Sequence, residues 1–235
     1  MKISMLSLDD TAQVLSWCLM ETKGIMPLRN DTLEIYPELR TNKDIKSAIR
    51  SKYDKFILDN KHLVKEYKEL WDKYDLDIKN YFEKLFHVKL DKEVTAEIGL
   101  IPVCPRDIQE NYFIFIPDSN DFFIQTSIHE ICHFYFFELC KKILPKWDYD
   151  MFDKPALLWY LSEIMIDPLL NNSELDKIYH HKYKAYDIFY KTNINNKNIV
   201  EIITDIYNNN SIEDTIIKGL KFLEDNKETF LEQCK

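Results

Sequence analysis

The sequence predicts a mainly helical α+β protein. Apolar residues recur at three-to-four spacing before residue 87 and after residue 120, which is typical of amphipathic helices. Between these stretches, residues 94–117 are rich in β-branched and aromatic side chains and in prolines, as short strands and their ends are. Only 3 glycines occur among 235 residues, which disfavours an all-β fold with many tight turns. Helices, a small sheet and further helices, in that order, indicate the α+β class.

The N-terminal part of the chain is predicted to be helical apart from one short strand. Ser7 is placed to cap the first helix, with Asp10 three residues further on. The apolar run 33–36 predicts the strand. The predicted elements are a helix over 9–21, a strand within 31–37, and helices over 42–60 and 62–86. Because the pattern changes near residue 90, we divide the chain into a helical N-terminal region, 1–90, and a second region, 91–235.

The second region is predicted to begin with the sheet and to end in helices. Strands are expected within 94–103 and 112–116, with a turn around Pro105. Because proline suits strand ends and edge strands, the strand before Pro117 is expected at the sheet edge, where it would hold an extended peptide. The predicted helices span 121–142, 154–170, 174–191, 198–208 and 212–232.

Composition excludes several classes of function. The 3 glycines leave no room for glycine-rich phosphate loops or for the nucleophile elbow of α/β-hydrolases. The 31 basic and 40 acidic residues give a net charge of −9, the opposite of the balance in proteins that bind nucleic-acid phosphates. No uncharged apolar window is long enough to span a membrane. We therefore expect neither a nucleic-acid partner nor a membrane partner.

Cysteine usage predicts a cytoplasmic protein. The five cysteines are scattered and odd in number, and no C-x-x-C pair occurs, so a disulfide framework and a thiolate zinc knuckle are both disfavoured. Asp9 and Asp10 interrupt the apolar run that a secretory signal would need. Reduced, buried thiols are expected.

The candidate chemistry lies in an H-E-x-x-H motif formed by His129, Glu130 and His133. Residues i and i+4 of a helix share one face, with Cβ atoms roughly 5–6 Å apart, so both imidazoles can reach one zinc ion. Glu130 then lies beside the metal and acts as the general base that takes a proton from zinc-activated water. The flanking residues are apolar, as a dry site requires.

A catalytic zinc takes three protein ligands, and the sequence offers several candidates for the third, one of His180 and His181 among them. Glu163 is the preferred candidate, because it lies among apolar neighbours on the next predicted helix and a buried carboxylate needs a partner. Asp167, one turn further, is predicted to accept a ligand imidazole N–H from outside the coordination shell. The alternative third ligands are Asp148, Asp150 and Asp153, which lie nearer in sequence but in a connection.

These residues resemble the gluzincins, the zinc metallopeptidases that include thermolysin-like and alanyl-aminopeptidase-like enzymes. That group pairs H-E-x-x-H with a downstream E-x-x-x-D, which here is Glu163 and Asp167, and Trp159 resembles the tryptophan of its aminopeptidase branch. The resemblance covers residues 111–170. It implies a zincin-like core, one Zn²⁺ ion, and hydrolysis of peptide bonds in a peptide or protein substrate.

The chain departs from the family pattern at several positions. It lacks a G-x-M-E-N strand, so the resemblance does not imply an exopeptidase. Ser162 stands where the family commonly has Asn, and Pro168 directly follows Asp167, so the helix is expected to kink or end there. Phe136 and Leu139 stand where a metzincin needs Gly and His.

The residue that would stabilise the oxyanion is left open among several side chains of the helix predicted over 174–191. Ordinary surface positions are the competing interpretation for all of them. The candidates are His180, His181, Tyr183, Tyr186 and Tyr190.

Two functions from different classes follow from the sequence. The first is a zinc-dependent peptidase with Glu130 as general base. The second is a catalytically silent, zinc-containing binding or regulatory protein that keeps a peptidase-like fold. A variant of the first is a peptidase that acts on one dedicated protein.

Overall fold

The computed structural model describes residues 1–20 and 28–234, and over these residues the chain is mainly helical with two small sheets. The strands are β1 (Lys2–Met5), β2 (Thr95–Ile98), β3 (Arg106–Asp107), β4 (Tyr112–Phe115), β5 (Asn193–Ile194) and β6 (Lys197–Asn198). The helices are α1 (Leu8–Met20), α2 (Leu28–Ile35), α3 (Ile45–Asn60), α4 (Leu63–Trp71), α5 (Asp75–Phe86), α6 (Asn120–Ile143), α7 (Leu157–Leu170), α8 (Ser173–Ile178), α9 (Ile199–Asn208), α10 (Ile212–Asp225) and α11 (Lys227–Gln233). Short 3-10 turns occupy Pro37–Arg40 and Tyr149–Phe152.

The chain forms two units, each built from two stretches. One unit comprises residues 1–73 and 92–127, and the other comprises 74–91 and 128–235. The change of unit after residue 127 falls inside α6. The division into 1–90 and 91–235, which was drawn from composition, stays a prediction.

The first unit contains a mixed sheet in the order β1-β2-β4-β3. β1, β2 and β4 are parallel, and β3 is antiparallel to β4. In β4, Phe113, Ile114 and Phe115 are all buried, so the strand is covered on both faces and shows no apolar–polar alternation. On one side Tyr67 of α4 stacks on Phe123 at 4.3 Å between ring centroids.

Helices α1, α2 and α3 contribute to a second apolar layer of this unit. Its buried residues are Leu6, Leu8, Leu15, Leu33, Tyr36, Leu39, Ile49, Ile101 and Ile114. The predicted cap of α1 is present, since the Asp10 backbone N–H donates to Ser7 Oγ at 3.1 Å. The end predicted at Glu21 lies outside the described residues.

The second unit is organised around α7, which packs against α9 and α10. Almost every residue of α7 is buried, so this helix is apolar on all sides. Gly219 of α10 lies so close to α7 that a Cβ there would stand 2.9 Å from Leu161 Cδ1. A glycine at this position therefore permits the close approach of the two helices.

Several sequence predictions about individual elements are wrong. Residues 33–36 do not form a strand: α2 extends through Ile35, and its buried residues, Leu28, Thr32 and Leu33, recur at helical spacing. The single helix predicted over 62–86 is two helices, and acidic Asp75 and Asp77 begin the second. Strand β1 was not predicted at all.

Two further predictions fail in the sheet and in α7. β4, the strand before Pro117, is not at the edge, because it pairs with β2 on one side and β3 on the other. Pro168 does not end the helix, which continues to Leu170, and the Asn171 N–H still donates to Asp167 O at 3.2 Å.

Two observations bear on cellular location. Within the described residues, no helix is both long enough and apolar enough to cross a bilayer. The five cysteines form no disulfide, and four of them are buried. Burial raises the pKa of Cys18 to about 11 and that of Cys140 well above its ordinary value.

We predict that one thiol reacts far faster than the others. At pH 8 a buried thiol with a raised pKa has almost no thiolate, whereas Cys104 is partly exposed. Titration with an aromatic disulfide reagent should show one fast equivalent, which Cys104→Ser removes. Cys18→Ser should leave it in place. A fast equivalent that survives Cys104→Ser would contradict this assignment.

Candidate metal centre

The two histidines of the H-E-x-x-H motif lie one turn apart in the middle of α6, as predicted. Their Nε2 atoms are 3.0 Å apart, and the ring centroids are separated by 4.8 Å. His133 is 1% exposed, whereas the side chain of His129 is 25% exposed. One imidazole therefore lies in the core, and the other is in contact with solvent.

Helix α7 brings Glu163 to the same point. Its Oε1 lies 3.5 Å from His133 Nε2, and its Oε2 lies 3.7 Å from His129 Nε2. The carboxylate is 1% exposed. All three ligand atoms fall within 4.8 Å of one another, so the three residues predicted as ligands are brought together.

The spacing of these donors fits a zinc ion. Ligands about 2.0–2.1 Å from a tetrahedral centre lie roughly 3.3 Å from each other, close to the observed separations. Two imidazole nitrogens and one carboxylate form a ligand set that catalytic zinc uses, with a fourth position left for water or substrate. Among residues 1–20 and 28–234, no other His, Cys, Asp and Glu side chains form such a group.

Glu130 lies beside this group without joining it. Its Oε1 is 4.0 Å from His129 Nε2, and the residue is 5% exposed. Glu130 is not among the three residues whose ligand atoms are grouped, and its carboxylate is close enough to reach a water molecule beside them. This placement is the one that general-base chemistry needs.

The Asp167 carboxylate accepts hydrogen bonds from two residues that follow it in the chain. Its Oδ2 accepts a hydrogen bond from the Tyr190 hydroxyl, and its Oδ1 accepts one from Asn171 Nδ2 at 3.0 Å. Desolvation and the Asp167 carboxylate together raise the pKa of Tyr190 to about 12. These bonds join α7 to the segment that follows α8, and support of a ligand imidazole by Asp167 stays a prediction.

The segment that contains the oxyanion candidates is not the predicted helix. α8 ends at Ile178, and residues 179–185 have no regular structure. Asn171 explains this, because its Nδ2 donates to Tyr183 O and its Oδ1 accepts from the Tyr183 N–H, both at 2.9 Å. The Asn171 side chain thus takes the hydrogen bonds that the Tyr183 N–H and C=O would make inside a helix.

The four main candidates lie in different environments. The side chain of His180 is 89% exposed and pairs with Asp176. The ring of His181 lies edge-on to Tyr183, which is buried, and burial raises the pKa of Tyr183. Tyr186 lies against Trp159, with ring centroids 6.3 Å apart. Trp159 precedes Glu163 by one helical turn, so Tyr186 packs against the helix that carries the candidate ligand.

The alternative third ligands have structural roles. Asp148 caps the 3-10 turn at Tyr149–Phe152 by accepting the Met151 N–H at 3.2 Å. Asp153 Oδ1 accepts the Lys154 N–H at 2.8 Å. Neither belongs to the group around His129 and His133, and nor does Asp150.

Sequence reasoning missed the aromatic packing that supports His133. The ring of Phe137 stacks on the His133 imidazole, with centroids 6.2 Å apart and an interplanar angle of 20°. Phe152 in turn lies 4.7 Å from Phe137. In the sequence, this contact is indicated by the i+4 spacing of Phe137 from His133, which places both rings on one face of the helix.

Comparisons with family models, with curated proteins and with solved structures gave no match to this chain. The centre is therefore interpreted from its own geometry.

We predict that zinc affinity depends on Glu163. The purified protein should hold about one zinc ion per chain. Glu163→Gln keeps the shape of the side chain but removes its charge, so affinity should fall at least 100-fold, roughly the upper limit for groups that only support a ligand. Elemental analysis and chelator competition measure this.

Glu138→Gln is the matched control, because Glu138 is on α6 but pairs with Lys141. It should bind zinc like the unaltered protein. Unchanged zinc affinity in Glu163→Gln would show that the carboxylate is not a ligand.

Proposed function

We propose that this protein is a zinc-dependent peptidase with a zincin-like core. The observation that supports this most strongly is the convergence of His129, His133 and Glu163 with Glu130 beside them. The proposal extends the resemblance to gluzincins from the motif to the arrangement of its side chains. The substrate class that follows is a peptide or protein.

The ligand residues have distinct tasks in this proposal. Zinc in such a site polarises a carbonyl and lowers the pKa of water to near 7. His129 and His133 would hold the ion as neutral imidazoles, and Glu163 would supply one negative charge. Zinc with one carboxylate and two neutral rings as ligands would carry one net positive charge, which favours the negative charge that develops on the substrate carbonyl.

Glu130 moves the proton. Its carboxylate accepts a proton from the attacking water as the new carbon–oxygen bond forms, and returns a proton to the amide nitrogen as the carbon–nitrogen bond breaks. The second hydrogen of the water also passes to the nitrogen at neutral pH, so the products are a carboxylate and an ammonium group, and atoms and charge balance. Because Glu130 is 5% exposed, bulk water competes little for this proton.

Replacing Glu130 tests the proposal. Glu130→Gln should lower the rate of peptide hydrolysis by about 10²–10⁴-fold, because the amide cannot accept the proton. Zinc content should not change, since Glu130 is not a ligand. Cleavage of a mixed peptide library, read by mass spectrometry with zinc measured on the same samples, gives both quantities.

Glu138→Gln again serves as the control and should retain full activity. Undiminished hydrolysis by Glu130→Gln would contradict the mechanism. A zinc-loaded protein that cleaves no peptide in the library would contradict the enzyme assignment and favour the silent binding protein.

A further inference from the structure

Strand β1 is an open edge of the sheet in the first unit. It pairs with β2 in parallel, and no described residue continues the sheet on its other side. The Lys2 and Leu6 N–H groups donate to Val94 O and Ile98 O, so the even-numbered residues face β2. Ile3 and Met5 therefore direct their N–H and C=O groups away from β2, where a further strand can pair with them.

A groove of about 750 Å³ lies along this edge. Lys2, Ile3 and Ser4 of β1 line one side together with Thr95. Val64, Lys65, Lys68 and Glu69 of α4 line the other side, and Lys61 lies just before that helix. The groove thus lies between the edge strand and a side of α4 that carries Lys65 and Lys68.

The charge of the groove is opposite to that of the whole chain. Its lining has four lysines and one glutamate, Glu69, whereas the protein has a net charge of −9. Lys65 pairs with Glu69 at 3.7 Å, Lys2 pairs with Glu93 at 3.7 Å, and Lys68 pairs with Asp72. These pairs are solvent-exposed, and such pairs contribute so little that the lysines can turn to a bound anion.

The lysine spacing matches an extended peptide. Lys65 and Lys68 are three residues apart on α4, about 4.5 Å along its axis, and Lys61 lies two residues before the helix begins. Alternate side chains of a β-strand are separated by roughly 6.6 Å on one face. Acidic side chains at every second position of a strand would therefore each lie near one ammonium group.

We propose that this groove binds an extended, acidic peptide segment of a partner protein, which adds to the sheet as a strand beside β1. Main-chain bonds to Ile3 and Met5 supply affinity that is independent of sequence. The lysines select acidic side chains and fix the register. The proposal is independent of the peptidase assignment, because it concerns a different set of residues and an equilibrium binding step.

A peptide is favoured over a nucleic acid because of the exposed strand edge. Nucleic acid offers phosphates to the lysines, but its backbone has no N–H and C=O groups spaced to form a ladder with Ile3 and Met5. Single-stranded DNA is therefore included as a competing ligand in the test.

The test uses a short fluorescent peptide that alternates Thr and Glu, and a second peptide with Gln in place of Glu. Fluorescence anisotropy on the full chain should show binding of the acidic peptide that weakens with salt, and at least about tenfold weaker binding of the neutral one. Lys65→Gln with Lys68→Gln should reduce affinity for the acidic peptide at least about tenfold.

The matched control is Lys218→Gln with Lys221→Gln. These lysines are also three residues apart on one helix and also pair with acidic side chains, Asp214 and Asp225. The control pair should bind the acidic peptide like the unaltered protein. Equal loss in both double variants, or equal binding of both peptides, would overturn the proposal.

Main-chain pairing is tested with the ligand, so that the fold of the protein is untouched. Two further acidic peptides are N-methylated at either the Thr or the Glu positions. The set whose amides face β1 should lose binding, and the other should retain it. Full binding by both, or tighter binding of single-stranded DNA with the same dependence on Lys65 and Lys68, would overturn the strand-addition proposal.

Discussion

A carboxylate taken out of water must be matched by positive charge or strong donors, and Glu163 is such a carboxylate. It lies in the middle of α7, a helix that is buried on nearly all sides. The groups that meet it are the imidazoles of His129 and His133. Unmatched burial of this charge would cost several kcal/mol. The packing of α6 against α7 therefore depends on how the Glu163 charge is compensated.

The surroundings of α7 hold Glu163 in place from several directions. α9 and α10 pack along the helix, and Gly219 permits close contact with Leu161. At the C-terminal end, Asn171 binds both main-chain groups of Tyr183, while Tyr190 donates to Asp167. The irregular segment after α8 is thus attached to the same helix that positions the candidate ligand. A site on rigid elements keeps its geometry better than one on loops.

Charge is distributed unevenly on this acidic protein. The net charge of −9 describes the chain as a whole. Beside β1, however, lysines from β1 and from the neighbourhood of α4 line one groove. Edge strands are usually protected from further pairing, and lysine is a common means of protection. Here the same lysines that discourage self-association of this edge create a preference for acidic strands.

Sequence patterns were enough to predict the mainly helical α+β class, the helix with His129, Glu130 and His133, and a meeting of Glu163 with these histidines, because these rest on periodicity and on the chemistry of nearby residues. Tertiary structure decided what depends on distant partners. Residues 33–35 became helical because α2 buries one side, with Leu28, Thr32 and Leu33, against the rest of its unit. β4 became interior because β2 and β3 pair with it. The helix predicted after residue 174 stopped because Asn171 takes the main-chain bonds of Tyr183. The local propensity of a segment does not include such contacts, since the partners come together only when the chain folds.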